Sequence, residues 1–153
     1  MSIEDKLKSM GLELPPAPAP AANYVPFARE GSLLIIAGQV PRAADGSLPY
    51  VGKVGRELTE QQGYEAARLC ALNCLAQIKA ALGSLDRVKR ILRIGGFVNC
   101  LEGFANQPEV INGASDLVVE LFGERGKHAR AAVGNIALPR NVATEVEMTV
   151  AVD

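Results

Sequence analysis

A chain of 153 residues is enough for one domain and short for two, and at this size it can bury about 70% of its unfolded surface. Its 48% hydrophobic and 22% charged residues give the balance of an ordinary globular protein, and a net charge of −1 supplies no field that would draw it to nucleic acid or an anionic membrane. The lack of tryptophan and the 5% aromatic content exclude large stacking platforms, and the apolar run Leu33 to Ala37 is far short of the ~20 residues a membrane helix needs.

Ser2 to Met10 reads as a short amphipathic helix. Ser2 caps it, Asp5 completes a capping box, Ile3, Leu7 and Met10 share a face, and Gly11 ends it. The run Leu14-Pro15-Pro16-Ala17-Pro18-Ala19-Pro20 forbids regular helix and favours an extended path. Residues 1–20 are therefore a helix and a proline-rich arm, either a linker or a strap over the surface, ahead of a single domain at 21–153.

Tyr24 to Arg29 and Leu33 to Ala37 are predicted strands around Glu30-Gly31-Ser32, a hairpin. From Pro41 to Leu58, Gly46, Pro49, Gly52 and Gly55 make an irregular surface loop and a candidate rim for a site. Thr59, with Gln62 as its box partner, opens the main helix. Tyr64, Ala67, Ala71, Cys74, Leu75, Ile78 and Leu82 recur at helical spacing, and Gly83 stops it. The stripe is broad and rich in alanine, so this helix should lie flat on a sheet and be heavily covered.

Val88 to Cys100 is the next predicted strand. Its basic start, Arg87 to Arg93, reads either as a phosphate or RNA contact or as a solvated edge that discourages aggregation. Gly95-Gly96 marks a bulge or a close approach. Pro108 to Phe122 is a second helix, with Glu109 in its first turn, Gly123 at its end, and Val110, Ile111, Ala114, Leu117, Val118 and Leu121 as its buried stripe. Cys70, Cys74 and Cys100 make an odd count with no secretory signal, which points to reduced thiols in a cytoplasm. Cys70 and Cys74 are four apart on a helix. One histidine and no second cysteine pair make packing a better explanation for them than metal binding.

His128 to Glu147 is the stretch that carries chemistry. Two strand-like runs flank Leu138-Pro139-Arg140-Asn141, which predicts a closing hairpin. In the second run Thr144, Val146, Met148, Val150 and Val152 share one face, while Glu145, Glu147, Thr149 and Ala151 share the other. The first run sets Arg130 among Ala129, Ala131, Ala132 and Gly134. Spacing alone leaves Arg130 two roles: a bidentate grip on a substrate carboxylate, or an ion pair with Glu145 or Glu147 across the hairpin. The element order implies an α+β fold with both helices on one face of a mixed sheet. No element remains for the other face, so the chain is expected to assemble sheet to sheet with copies of itself.

Several anchors follow one another in a familiar order. They are Asn23-Tyr24-Val25, Ile36-Ala37-Gly38-Gln39-Val40-Pro41, Phe97-Val98-Asn99, Asn112, Ala129-Arg130 with Val133, Leu138-Pro139, and Val142 with Glu145-Val146-Glu147. In their joint order the chain resembles the YjgF/RidA (L-PSP) family from Ala21 to Val152. The resemblance implies a chorismate-mutase-like fold, related to the ferredoxin-like folds, and a homotrimer with its sites in clefts between subunits. It implies an enamine/imine deaminase, which turns small 2-imino acids such as 2-aminoacrylate into 2-keto acids and ammonia, with no metal or organic cofactor. Arg130 would anchor the substrate carboxylate, helped by the backbone N–H groups of Gly38 and Ala132. Glu145 would position water, and Tyr24 and Asn112 would line the pocket. Ala37 and Ala132 replace a common hydroxyl residue and a common cysteine, and the N-terminal arm, the Gly46 to Leu58 loop and the Leu101 to Gln107 segment also depart from the family pattern. These departures mark a divergent subgroup in which the ligand can differ. Two other functions are weighed: a non-catalytic trimeric small-carboxylate binding protein, and the endoribonuclease activity ascribed to the family. The second would need Arg90 and Arg93 to face an open groove, and the single histidine and the net charge of −1 speak against it.

Overall fold

The computed structural model describes residues 1–19 and 22–153, so the expected boundary between arm and domain, at Pro20 and Ala21, lies outside the described residues. Helix α1 (Ile3–Ser9) precedes strands β1 (Phe27–Glu30) and β2 (Leu33–Gln39) and helix α2 (Glu60–Leu82). Strand β3 (Val88–Asn99), helix α3 (Gln107–Phe122) and strands β4 (Ala129–Asn135) and β5 (Thr144–Val152) follow. The start and stop signals act locally, as read. Ser2 Oγ accepts from the Asp5 N–H at 3.0 Å, and Thr59 Oγ1 accepts from the Gln62 N–H at 3.1 Å while Gln62 Oε1 accepts from the Thr59 N–H at 2.9 Å. Gly83 ends α2 in the left-handed region, at φ 85°.

The five strands lie in the order β1-β2-β5-β3-β4, with β3 and β4 parallel and the other pairs antiparallel. The closing hairpin expected from the sequence does not form. β5 runs between β2 and β3 instead of beside β4. Burial explains the choice. Alternate residues of β5, Thr144 to Val152, are buried, and a central position covers that row with helix and gives both backbone edges partners. β4, whose side chains are small and mostly exposed, can stand at the edge.

Both long helices pack on one face. Leu34, Ile36, Ile91, Ile94, Val98, Met148 and Val150 of the sheet are buried against Ala67, Ala71, Cys74, Leu75 and Ile78 of α2 and Ile111, Ala114 and Leu117 of α3. Two glycines set how close α3 comes to the sheet and to α2. A Cβ on Gly96 would lie 2.6 Å from the Ile111 side chain, and one on Gly113 would strike the Tyr64 carbonyl of α2. Gly95-Gly96 is thus a close approach; the irregularities of β3 fall earlier, near Val88–Arg90 and Ile91–Arg93. Cys70 and Cys74 are buried free thiols, and burial holds both in the neutral form.

The proline arm is a strap and not a free linker. Buried Gln77 of α2 donates from Nε2 to the Pro18 carbonyl at 2.6 Å. The α1 end is tied to the turn before β3: the Ile3 N–H donates to Asp86 Oδ1 at 2.9 Å, and the Leu85 N–H donates to Glu4 Oε1 at 2.8 Å. The sheet face away from the helices is uncovered, with Leu33, Ile35 and Val133 exposed by 44%, 52% and 45%. Among the described residues no helix is long and apolar enough to cross a membrane.

Candidate functional site

The six site residues expected from the sequence fall into two groups. Tyr24, Gly38 and Glu145 line one cleft of about 460 Å³, together with Pro18 and Ala19 of the arm, Arg42, Pro139 and Arg140. A bulge builds its floor. Ile36 pairs with Met148 and Gln39 with Val146, so Ala37 and Gly38 stand opposite the single residue Glu147. On the other side the Ala37 N–H continues the β1 register, donating to the Pro26 carbonyl at 3.0 Å. Gly38 leaves room for the Glu145 carboxylate, which a Cβ at this position would overlap. Glu145 therefore lies across a bare stretch of backbone. Its carboxyl pKa is raised, first by burial and then by the charge of Glu147. A half-buried carboxyl held in this way is suited to taking a proton from water.

Arg130 and Asn112 form the second group. Arg130 Nη1 donates to Asn112 Oδ1 at 2.8 Å and to Ser115 Oγ at 3.1 Å, and Nη2 donates to the Pro108 carbonyl at 3.2 Å. Three bonds to one helix fix the guanidinium at the open edge of the sheet. Arg130 does not pair with Glu145 or Glu147. β3 intervenes, Arg130 is in register with Ile94 and Met148, and Glu145 with Phe97 is on the opposite face. The ion pairs among the described residues are Arg56–Glu57, Arg87–Asp153 and Lys127–Glu124, so Arg130 has no acid of its own. Ala132 lies two residues along the same strand.

The sequence reading missed what supports Arg130. Ser115 Oγ lies 2.9 Å from His128 Nε2, and His128 Nδ1 lies 2.7 Å from the Gly126 carbonyl. A carbonyl only accepts, so Nδ1 carries the proton. Burial holds the imidazole pKa down, the Gly126 carbonyl opposes this, and the Arg130 charge adds to it, so the ring is neutral near pH 7. Nε2 then accepts from the Ser115 hydroxyl, whose oxygen accepts the hydrogen bond from Arg130. A serine one helical turn after Asn112 was the only trace of this in the sequence.

The basic start of β3 is largely engaged in holding the fold. Arg87 binds the Asp153 carboxylate at 3.1 Å and the Leu82 carbonyl at 2.9 Å, and Arg90 donates twice to the Lys127 carbonyl. No cluster of His, Cys, Asp and Glu suited to a metal ion occurs among the described residues.

Known proteins resemble this chain over nearly its whole length. The model of the family described as "YjgF/chorismate_mutase-like, putative endoribonuclease" matches residues 4–151, a stretch that takes in α1 and the proline arm. Protein TCP17 of Trypanosoma cruzi is 45% identical over 149 residues, 97% of this chain and 92% of its own. The crystal structure of a "putative endoribonuclease" from Shewanella oneidensis superposes with a TM-score of 0.96 at 39% identity, covering 99% of this chain and 100% of its own. That of RidA from an Antarctic Psychrobacter species superposes with a TM-score of 0.61 at 26% identity, covering 90% of this chain and 94% of its own.

Proposed function

This chain belongs to the YjgF/RidA family, and on that premise we propose that it hydrolyses small 2-imino acids to 2-keto acids and ammonia at a site shared between subunits of a homotrimer. The observation that carries the reading is the separation of two complementary half-sites. One chain holds its water-handling carboxylate, Glu145, beside Gly38 and Tyr24 on one side of the sheet. It holds a preorganised guanidinium, Arg130, with Asn112 at the far edge on the other side. Each half lacks what the other has, and two neighbouring copies supply both. The uncovered face with Leu33, Ile35 and Val133 suits such an assembly.

The chemistry follows from the parts. Arg130 grips the carboxylate next to the imine carbon with two parallel hydrogen bonds. The N–H of Gly38 and that of Ala132, on an edge strand, add donors to the same group. The protonated imine carbon is already electrophilic, so positioning and one base suffice. Glu145 takes a proton from the attacking water and returns it to the leaving nitrogen as the C–N bond breaks. Its raised pKa keeps it able to do both.

The test is a coupled assay in which a lyase generates 2-aminoacrylate from serine or cysteine and keto-acid release is followed. Wild type should accelerate release, and Arg130→Ala should fall to the rate without protein. Equal rates in both would end the deaminase reading. A keto acid bound without turnover would reassign the site to a carboxylate-binding module.

A further inference from the structure

The cleft that holds Glu145 carries more positive charge than a monocarboxylate requires. Arg42 and Arg140 both line it, and Glu145 is the one acid among its lining residues. Neither guanidinium belongs to an ion pair among the described residues. Neither forms an ion pair with Glu145, whose pKa is raised by burial and by Glu147.

The backbone that carries both arginines is fixed in place, and Arg42 is tied by its side chain as well. Asn73, buried in α2, donates to the Val40 and Arg42 carbonyls at 3.1 and 2.9 Å, and Arg42 Nη1 donates to the Gly46 carbonyl at 2.8 Å. Arg140 and Asn141 lie in the left-handed region, at φ 58° and 57°, which is costly for residues other than glycine. Buried Asn99 holds that turn. Its Nδ2 donates to Asn141 Oδ1 at 3.0 Å and to the Val142 carbonyl at 3.1 Å, and Lys53 Nζ donates to Asn99 Oδ1 at 2.8 Å. The Gly52 N–H donates to the Asn141 carbonyl at 2.7 Å. A strained pair of this kind persists only where its surroundings over-determine it. Here the strained turn sets Arg140 at the rim of the cleft.

We infer that the substrate is a short 2-imino dicarboxylic acid, whose second carboxylate is held by Arg42 and Arg140 while the first is held by Arg130 of the partner subunit. Two guanidiniums lining one cleft can meet a carboxylate in planar, forked geometry, and a neutral or apolar substrate tail would offer neither of them an acid. Water adds to the C=N carbon, the C–N bond breaks, and the 2-oxo dicarboxylic acid and ammonia leave, with no oxidant or reductant needed. The inference rests on the imine-hydrolase reading above.

Its test compares two imines made in place: the imine of aspartate from D-aspartate oxidase, and that of alanine from D-amino-acid oxidase, each with semicarbazide as a competing trap. The readout is the ratio of kcat/KM for the two substrates in one sample, which is insensitive to partial loss of fold. Wild type should favour the diacid about a hundredfold, and the Arg42→Gln/Arg140→Gly double variant should lose most of that preference. Glycine suits φ 58° at position 140, so backbone strain cannot explain the loss. Equal efficiency for the two imines, or a preference kept in the double variant, overturns the inference while leaving imine hydrolysis intact. If neither imine is hydrolysed, the deaminase reading fails. Calorimetry with 2-oxoglutarate against pyruvate then decides: tighter diacid binding that the double variant abolishes sustains the arginine pair, and equal binding overturns it.

Discussion

Gly38→Ala separates the site from the scaffold most sharply. An added Cβ at position 38 would overlap the Glu145 carboxylate and lie 3.1 Å from its Cδ and 3.3 Å from its Cγ. The obstructing atoms are the end of a flexible side chain on a half-exposed residue, so the carboxylate can swing away cheaply. Stability should change by about 1 kcal/mol or less. The chemistry does not escape so lightly, because a displaced base loses its reach to the water, worth about a hundredfold in kcat/KM. Gly96→Ala is the control. Its Cβ would lie 2.6–2.7 Å from three carbons of Ile111, in the packed layer between α3 and the sheet. Overpacking there should cost about 2 kcal/mol and lower Tm by about 4–8 °C in a chain of this size. The assays are keto-acid release for both variants and thermal unfolding followed by circular dichroism. The reasoning is refuted if Gly38→Ala keeps wild-type activity, or if it loses Tm as Gly96→Ala does.

Three further outcomes follow from the electrostatics and the strap. Burial and the charge of Glu147 both raise the Glu145 pKa, so Glu147→Gln should move the acid limb of the kcat/KM profile to lower pH, and an unmoved limb would remove Glu145 as the base. The folded state holds the His128 pKa down, so the unfolded chain binds the proton first. Stability is then present above about pH 6.5 and lost as pH falls through that value, and His128→Gln should flatten the dependence in unfolding curves recorded from pH 7.5 to 5. Gln77→Ala removes the 2.6 Å bond to the Pro18 carbonyl and should speed proteolytic nicking between residues 14 and 20, with α2 and the sheet left intact.

The sequence disclosed what is encoded locally. Ser2 with Asp5, and Thr59 with Gln62, are capping boxes within one turn of chain, and both form. The alternation of β5 was legible because its buried face is apolar from Val146 to Val152, with only Thr144 polar. Its partner was not. Strand pairing is a choice among distant segments, and the turn before β5 looked like a hairpin while β3 offered a better-covered neighbour. The same limit applied at the site. Arg130, Gly38 and Glu145 could be named from their motifs, and Asn112 meets Arg130 at 2.8 Å. That Gly38 is glycine because a carboxylate lies over it required the fold, since its obstacle comes from a strand more than a hundred residues away. Arg42 drew no notice and Arg140 was read only as part of a turn, because both sit in irregular segments without periodicity. Ser115 and His128 are joined to Arg130 only after β4 is laid beside β3 and under α3.

The central claim is that one copy's Arg130 completes another copy's Glu145. It is tested most directly by mixing Arg130→Ala with Glu145→Gln, each inactive alone, through denaturation and joint refolding, and then measuring keto-acid release. Random assortment restores an intact pairing at about one site in four, so the mixture should recover about a quarter of wild-type activity. A mixture as inactive as its two components, although mass measurement shows hybrid oligomers, would contradict the shared site.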